Sequence, residues 1–135
     1  MAVFKEMKTV TVVKVPLTNL ETAVENEAAA YDTATGKATV AANGSTTLLP
    51  IGYFDEGLVG DGTTPVRVRL PREYNCRWYA NDAGGTPVVA ATHRFQNCYM
   101  LDGVTVTAAS AGNSVRGTVI DVDATRGVLV AEKEF

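Results

Sequence analysis

Histidine and cysteine are almost missing from this 135-residue chain, which has a single histidine, His93, and two cysteines, Cys76 and Cys98. A histidine-based triad needs its imidazole beside a nucleophile, and no G-x-S-x-G or comparable motif supplies one. His93, in "ATHRFQN", therefore reads as a solvated loop residue. Two cysteines are too few for a disulfide framework and read as small core thiols. Asp121 and Asp123 in "DVDATRG" lack the later glutamate of a calcium loop, so they read as a wet strand edge before a turn. "GDGTTP" lacks the lysine and spacing of a phosphate-cradling loop and reads as a turn. Asp55 and Glu56 are adjacent, which on an extended chain sends them to opposite sides and makes no acid/base pair. The expectation is a protein that is not an enzyme, with no catalytic residues, no cofactor and no metal.

Positive charge is also in short supply. Twelve Lys and Arg face fifteen Asp and Glu, for a net charge of −3. That argues against bulk binding to nucleic acid or to an anionic membrane, both of which need a basic surface. No apolar run is long enough to span a bilayer. The start, "MAVFKEMKTV", has Lys5, Glu6 and Lys8 where a signal peptide would need an apolar stretch, so folding in the cytoplasm is expected. The length fits one domain with one core, and 46% hydrophobic residues argue against wholesale disorder. Residues 1–8 are expected to form an arm that orders only on binding, ahead of a single β domain over 9–135.

What the chain does have is period-two patterning. "KTVTVVKV" (Lys8 to Val15) and "VRVRL" (Val66 to Leu70) alternate or nearly so, as half-buried strands do. "CYML" and "VTVTA" flank Asp102-Gly103, a pair that predicts a type I′ hairpin turn with φ > 0 at both residues. "TVIDVD" and "GVLVAE" flank "ATR". Asn43-Gly44 and Asp61-Gly62 are further turn candidates, and Gly84-Gly85 with Pro87 breaks the chain again. Short strands punctuated this regularly predict an all-β small barrel or sandwich with little helix. One stretch competes. "TNLETAVENEAAAY" (Thr18 to Tyr31) has a capping-box pattern, Thr18 with Glu21, and apolar residues at helical spacing.

Arg67 and Arg69 project from one face of their strand, with Val66, Val68 and Leu70 behind them. They read either as a solvated outer face or as a protein contact, since arginine and large aromatics are enriched at interface hot spots. Trp78 reads first as core, because it hides so much apolar area. Its neighbours Arg77 and Tyr79 keep an interfacial position open.

The order of these pieces resembles a known family. "AAAYDTATGKATVA" (Ala28 to Ala41), "LPIGYFDEGLVGDGTTPVRVRL", "NCYMLDGVTVTAA" and "SVRGTVIDVDATRGVLVAE" together resemble the head decoration, or capsid cement, proteins of tailed bacteriophages. Their pattern is a strand, a D-x-x-G turn and a second strand. A glycine-bearing strand, an acidic turn and a basic alternating strand follow, then a late hairpin and a C-terminal strand pair joined through D-x-D. The resemblance is one of order and spacing and covers Ala28 to Glu132; residues 1–27 depart from it. It favours a strand over a helix for Ala28 to Asp32, leaving room for a short helical turn over Asn19 to Val24.

The resemblance implies a structural virion protein, made in the host cytoplasm, that binds the outside of the mature capsid and braces neighbouring copies of the major capsid protein. It implies a homotrimer and no nucleic-acid or membrane partner. The capsid- or subunit-contact candidates are Val3, Phe4, Lys5 and Met7 in the arm, with Arg67, Arg69, Arg72, Trp78 and Tyr79 in the β domain. Val10 extends the arm's apolar series, which is suited to adding a strand to a neighbour. Two alternatives remain open: a tail or neck structural protein, and a carbohydrate-binding module stacking sugars on Tyr53, Tyr74, Trp78 and Tyr79.

Overall fold

A computed structural model describes residues 8–42, 46–84 and 87–133. The protein is all-β, as the alternating patterns predict, and its only helical piece among these residues is a 3₁₀ turn, Ala91–His93. The chain forms two compact units, one made of Val10–Glu73 and the other of the described residues from Tyr74 onward with Lys8 and Thr9. Strand β7 (Pro65–Asn81) contributes its first part to one unit and its last part to the other.

The first unit is a sheet in the order β4 (Lys37–Val40), β3 (Ala28–Asp32), β5 (Leu48–Phe54), β7, and β1 (Lys8–Pro16) also pairs with β7. An isolated parallel bridge between Leu17 and Ala38 ties the end of β1 back to β4. Val13, Val15, Leu17, Tyr31, Ile51, Phe54, Val66 and Val68 are buried. Along β7 the alternation is strict: Val66, Val68 and Leu70 face inward while Arg67 and Arg69 face outward. In β3, by contrast, Ala29, Ala30 and Tyr31 are buried in succession, the mark of a strand covered on both faces. A separate two-stranded ribbon pairs β2 (Thr22–Ala23) with β6 (Leu58–Val59).

In the second unit the strand pairing closes on itself. The last part of β7 pairs with β11 (Gly127–Glu132), β11 with β10 (Val115–Asp123), β10 with β8 (Asn97–Met100), β8 with β9 (Thr105–Thr107), and β9 in parallel with β7. Closure removes the open edges that invite pairing with other chains. Tyr79, Val89, Cys98, Val106, Val119, Val128 and Val130 form its core.

Two expectations are corrected here. Asn19 to Val24 contains no helical turn. Leu20 and Asn26 adopt left-handed backbone angles (φ 65° and 71°), which a right-handed helix forbids. The apparent capping pair works across the sheet instead: the Thr18 hydroxyl donates to the Ala38 carbonyl at 2.8 Å, and Glu21 Oε1 accepts from the Thr39 hydroxyl and the Val40 amide, both at 3.0 Å. The strand reading of Ala28 to Asp32 holds. The Asp102-Gly103 hairpin is real, but neither residue has positive φ. Its loop is wider than a type I′ turn: the Leu101 amide donates to the Thr105 carbonyl at 3.0 Å, and Asp102 Oδ1 accepts from the Val104 amide at 2.8 Å. Asn43-Gly44 and the arm candidates Val3, Phe4, Lys5 and Met7 lie outside the described residues.

Candidate functional site

The outer face of the first unit is built on the β5–β7 pair. Tyr53 stands opposite Arg69 and Phe54 opposite Val68, so alternation buries Phe54 and Val68 and turns Tyr53 and Arg69 outward. The strands approach closely because residue 52 is glycine (φ 153°): a Cβ there would lie 2.1 Å from the Arg69 carbonyl oxygen. Gly52 therefore sets the height of Arg69 above the sheet.

Asp55 organises the two arginines. Its Oδ1 lies 3.1 Å from Arg69 Nη1 and its Oδ2 lies 3.7 Å from Arg67 Nε. Glu56 Oε2 accepts from the Arg67 amide at 2.9 Å. The chain turns after β5, so the neighbouring carboxylates do not splay apart as an extended chain would send them; both converge on Arg67. Arg69 also donates to Asn26 Oδ1 at 3.2 Å, and its guanidinium stands 6.0 Å from the Tyr53 ring centroid. Arg72 is exposed farther along the same strand.

Elsewhere in the first unit, Val59 on the β2–β6 ribbon is 63% exposed, Val24, just past β2, 54%, and Leu20, just before it, 80%. The ribbon ends on a firm loop. Asp61 Oδ1 accepts from the Thr63 and Thr64 amides at 2.9 and 2.6 Å, and Oδ2 from the Thr64 hydroxyl at 2.6 Å. These bonds, the Thr64 hydroxyl foremost, hold the Asp61 carboxyl well below the usual carboxylate range. Arginine and tyrosine presented together by a sheet are residue types enriched at interface hot spots.

Trp78 and Tyr79 belong instead to the interior of the second unit. Trp78 is 7% exposed and capped by the Arg126 guanidinium, 4.5 Å from its ring centroid. Tyr79 is 1% exposed, and its hydroxyl is hydrogen-bonded to Glu132. Glu132 also faces Arg116 Nη1 at 3.6 Å and Arg77 Nε at 4.0 Å, and Arg116 lies over the Tyr79 ring at 5.4 Å. Burial, with the Glu132 hydrogen bond, pushes the Tyr79 phenol up to about 12. A rigid-body contact by this face has neither ring to offer. Of the four aromatics named for sugar stacking, Tyr53 alone is well exposed, and it sits beside Arg69.

The remaining residues singled out from the sequence have structural occupations. His93 Nδ1 accepts the Ala90 amide at 2.8 Å, closing the 3₁₀ turn. Asp123 accepts the Thr125 and Arg126 amides at 2.8 and 2.9 Å, which hold its carboxyl low and shape the β10–β11 turn. Cys76 and Cys98 are free and buried, and desolvation pushes each thiol up to about 11. Among the described residues, no group of three or more His, Cys, Asp or Glu is placed to hold a metal ion, and no helix is long and apolar enough to cross a membrane. Sequence reasoning did not single out Leu20, Val24 and Val59 as surface residues; their exposure appears only in the folded structure. Searches against family models, curated proteins and solved structures find no match to this chain.

Proposed function

We propose that this protein is a structural virion component that binds the outer surface of a mature phage capsid and braces neighbouring major capsid subunits. The observation that carries the reading is the outward face of the β5–β7 pair, with Arg67, Arg69 and Tyr53, in a unit that also exposes Leu20, Val24 and Val59. That surface suits attachment to another protein. The ordered succession of strands and turns resembling cement proteins points the same way. The mechanism is mass action: a protein that binds only the expanded lattice stabilises that lattice by its own binding free energy, multiplied over many copies. A homotrimer, placed where several subunits meet, is the expected form, and carriage on the capsid exterior the expected location.

The test uses purified protein with mature and precursor shells assembled from the major capsid protein encoded in the same genome. Retention on mature shells, their protection against heat, and no retention on precursor shells are expected. Equal retention on unrelated protein surfaces overturns the reading. A copy number of six or twelve per particle, in place of hundreds over the head, reassigns the protein to the tail or neck.

A further inference from the structure

Leu20 is doubly misplaced for a residue whose only role is folding. Its backbone lies in the left-handed region (φ 65°), a conformation sterically unfavourable for a non-glycine residue. Its side chain is 80% exposed, so the unit's core gains little from it. Such a conformation persists only where the surroundings impose it, and here they do. The Leu20 amide donates to the Gly60 carbonyl at 2.8 Å, the Gly60 amide donates to the Glu21 carbonyl at 2.7 Å, and the Glu21 amide donates to the Thr18 carbonyl at 3.1 Å. Gly60 itself packs so tightly that a Cβ there would meet the Thr18 carbonyl oxygen at 2.1 Å. The leucine is thus mounted on a firm loop and held out into water.

Two further apolar side chains join it. Thr22 pairs with Val59 across the ribbon, which puts Val59 on the ribbon's outer face with Thr22 and, two residues on, Val24. Ala23 takes the opposite face and is buried. A leucine and two valines therefore share the surface around this turn.

The surrounding charge says what covers them. Segments 18–27 and 55–62 contain Glu21, Glu25, Glu27, Asp55, Glu56 and Asp61 and no lysine or arginine. Arg67 and Arg69 adjoin them through Asp55 and Asn26, and acids still outnumber these bases six to two. Glu21 turns inward to Thr39 and Val40, and Asp55 is engaged by Arg67 and Arg69. Glu25 and Glu27 are exposed, as is Asp61. A second copy laid on this patch by a two-fold axis would bring these carboxylates against their own equivalents, an arrangement like charges oppose. The complementary occupant has an apolar centre and a cationic rim.

We propose that Leu20, flanked by Val24 and Val59, is the anchor by which this chain docks into an apolar depression rimmed by lysine or arginine on its protein partner. The proposal rests on the capsid-binding reading and names the attachment point and the chemistry of the capsid surface that receives it.

The test compares wild-type protein with Leu20→Gly and Val59→Ser, measuring thermal midpoints and affinity for mature shells at several salt concentrations. Glycine adopts positive φ without penalty, so Leu20→Gly is expected to melt at or above the wild-type temperature while binding roughly tenfold more weakly or worse. Val59→Ser weakens binding in the same direction. Wild-type affinity falls as salt rises, and Glu25→Gln with Glu27→Gln flattens that dependence. If wild-type protein binds and Leu20→Gly binds equally well, the anchor is wrong and the capsid-binding reading stands. If wild-type protein ignores mature shells, that reading falls and takes the anchor with it. Affinity that is flat or rising with salt overturns the cationic rim.

Discussion

At the scale of single residues, the candidate face depends on backbone groups lying behind it. Gly52 is the clearest case, because the Arg69 carbonyl occupies the place a side chain would need. Any Cβ must push β5 and β7 apart, and with them Tyr53 and the guanidinium that Asp55 holds. Gly52→Ala is expected to lower stability by about 3 kcal/mol, within the range of overpacked and strained positions. Urea unfolding followed by Trp78 fluorescence measures it, and a midpoint unchanged from wild type would show that the sheet yields freely. The sequence discloses half of this arrangement. Arg67 and Arg69 out, Val66 and Val68 in, is legible because side chains on a strand alternate and the residue types alternate with them. Asp55 is not legible as their partner, since it sits fourteen residues from Arg69 and reaches it only through the strand pairing.

At the scale of elements, the β7–β11–β10 strands carry a charge cluster on side chains that are only about a quarter exposed: Glu132 between Arg77 and Arg116, with the Tyr79 hydroxyl bound to the same carboxylate. Two guanidiniums share one anion, so removing it leaves two half-buried cations facing each other. Glu132→Ala is expected to cost about 2 kcal/mol, more than an exposed ion pair and less than a fully buried one. Chemical denaturation checks the figure. Rescue by Glu132→Gln, which keeps a hydrogen bond to Tyr79 but not the charge, should be partial; full rescue would mean that the charge contributes nothing. None of this could be read from the sequence, where Arg116 lies at a β-bulge between Val115 and Gly117 that re-aims its side chain. The helical pattern of Thr18 to Tyr31 misled for a related reason. Thr18 and Glu21 do make the hydrogen bonds their types favour, but to Ala38, Thr39 and Val40 on another strand. Tertiary partners prevail over the local cap, and the apolar positions at helical spacing are divided between the β2–β6 ribbon, which buries Ala23, and β3, which buries Tyr31.

At the scale of the whole molecule, the buried titratable groups set a window of pH in which the fold is stable, and the sign follows from which form burial favours. Cys76 and Cys98 are pushed up from about 9 to about 11, and Tyr79 from about 10 to about 12. The folded protein therefore keeps protons that the unfolded chain releases. Stability from these groups is complete below about pH 9 and declines as pH rises through 9 to 12, because the unfolded state binds fewer protons there. At the other end, Asp61, Asp102 and Asp123 are held low by amide and hydroxyl donors. Their contribution is present above the ordinary carboxylate range and is lost as pH falls through about 4 and below. The expected profile is a plateau with an acid shoulder set by exposed turns and an alkaline fall set by the core. Urea midpoints measured across pH 7 to 11 test the alkaline limb. A decline beginning near pH 9, flattened by Cys76→Ser with Cys98→Ser, is the expected outcome. Thiolate absorbance appearing in the folded protein at pH 8, with no loss of stability, would show that the two thiols are open to water. The all-β packing around Cys98 would then need revision.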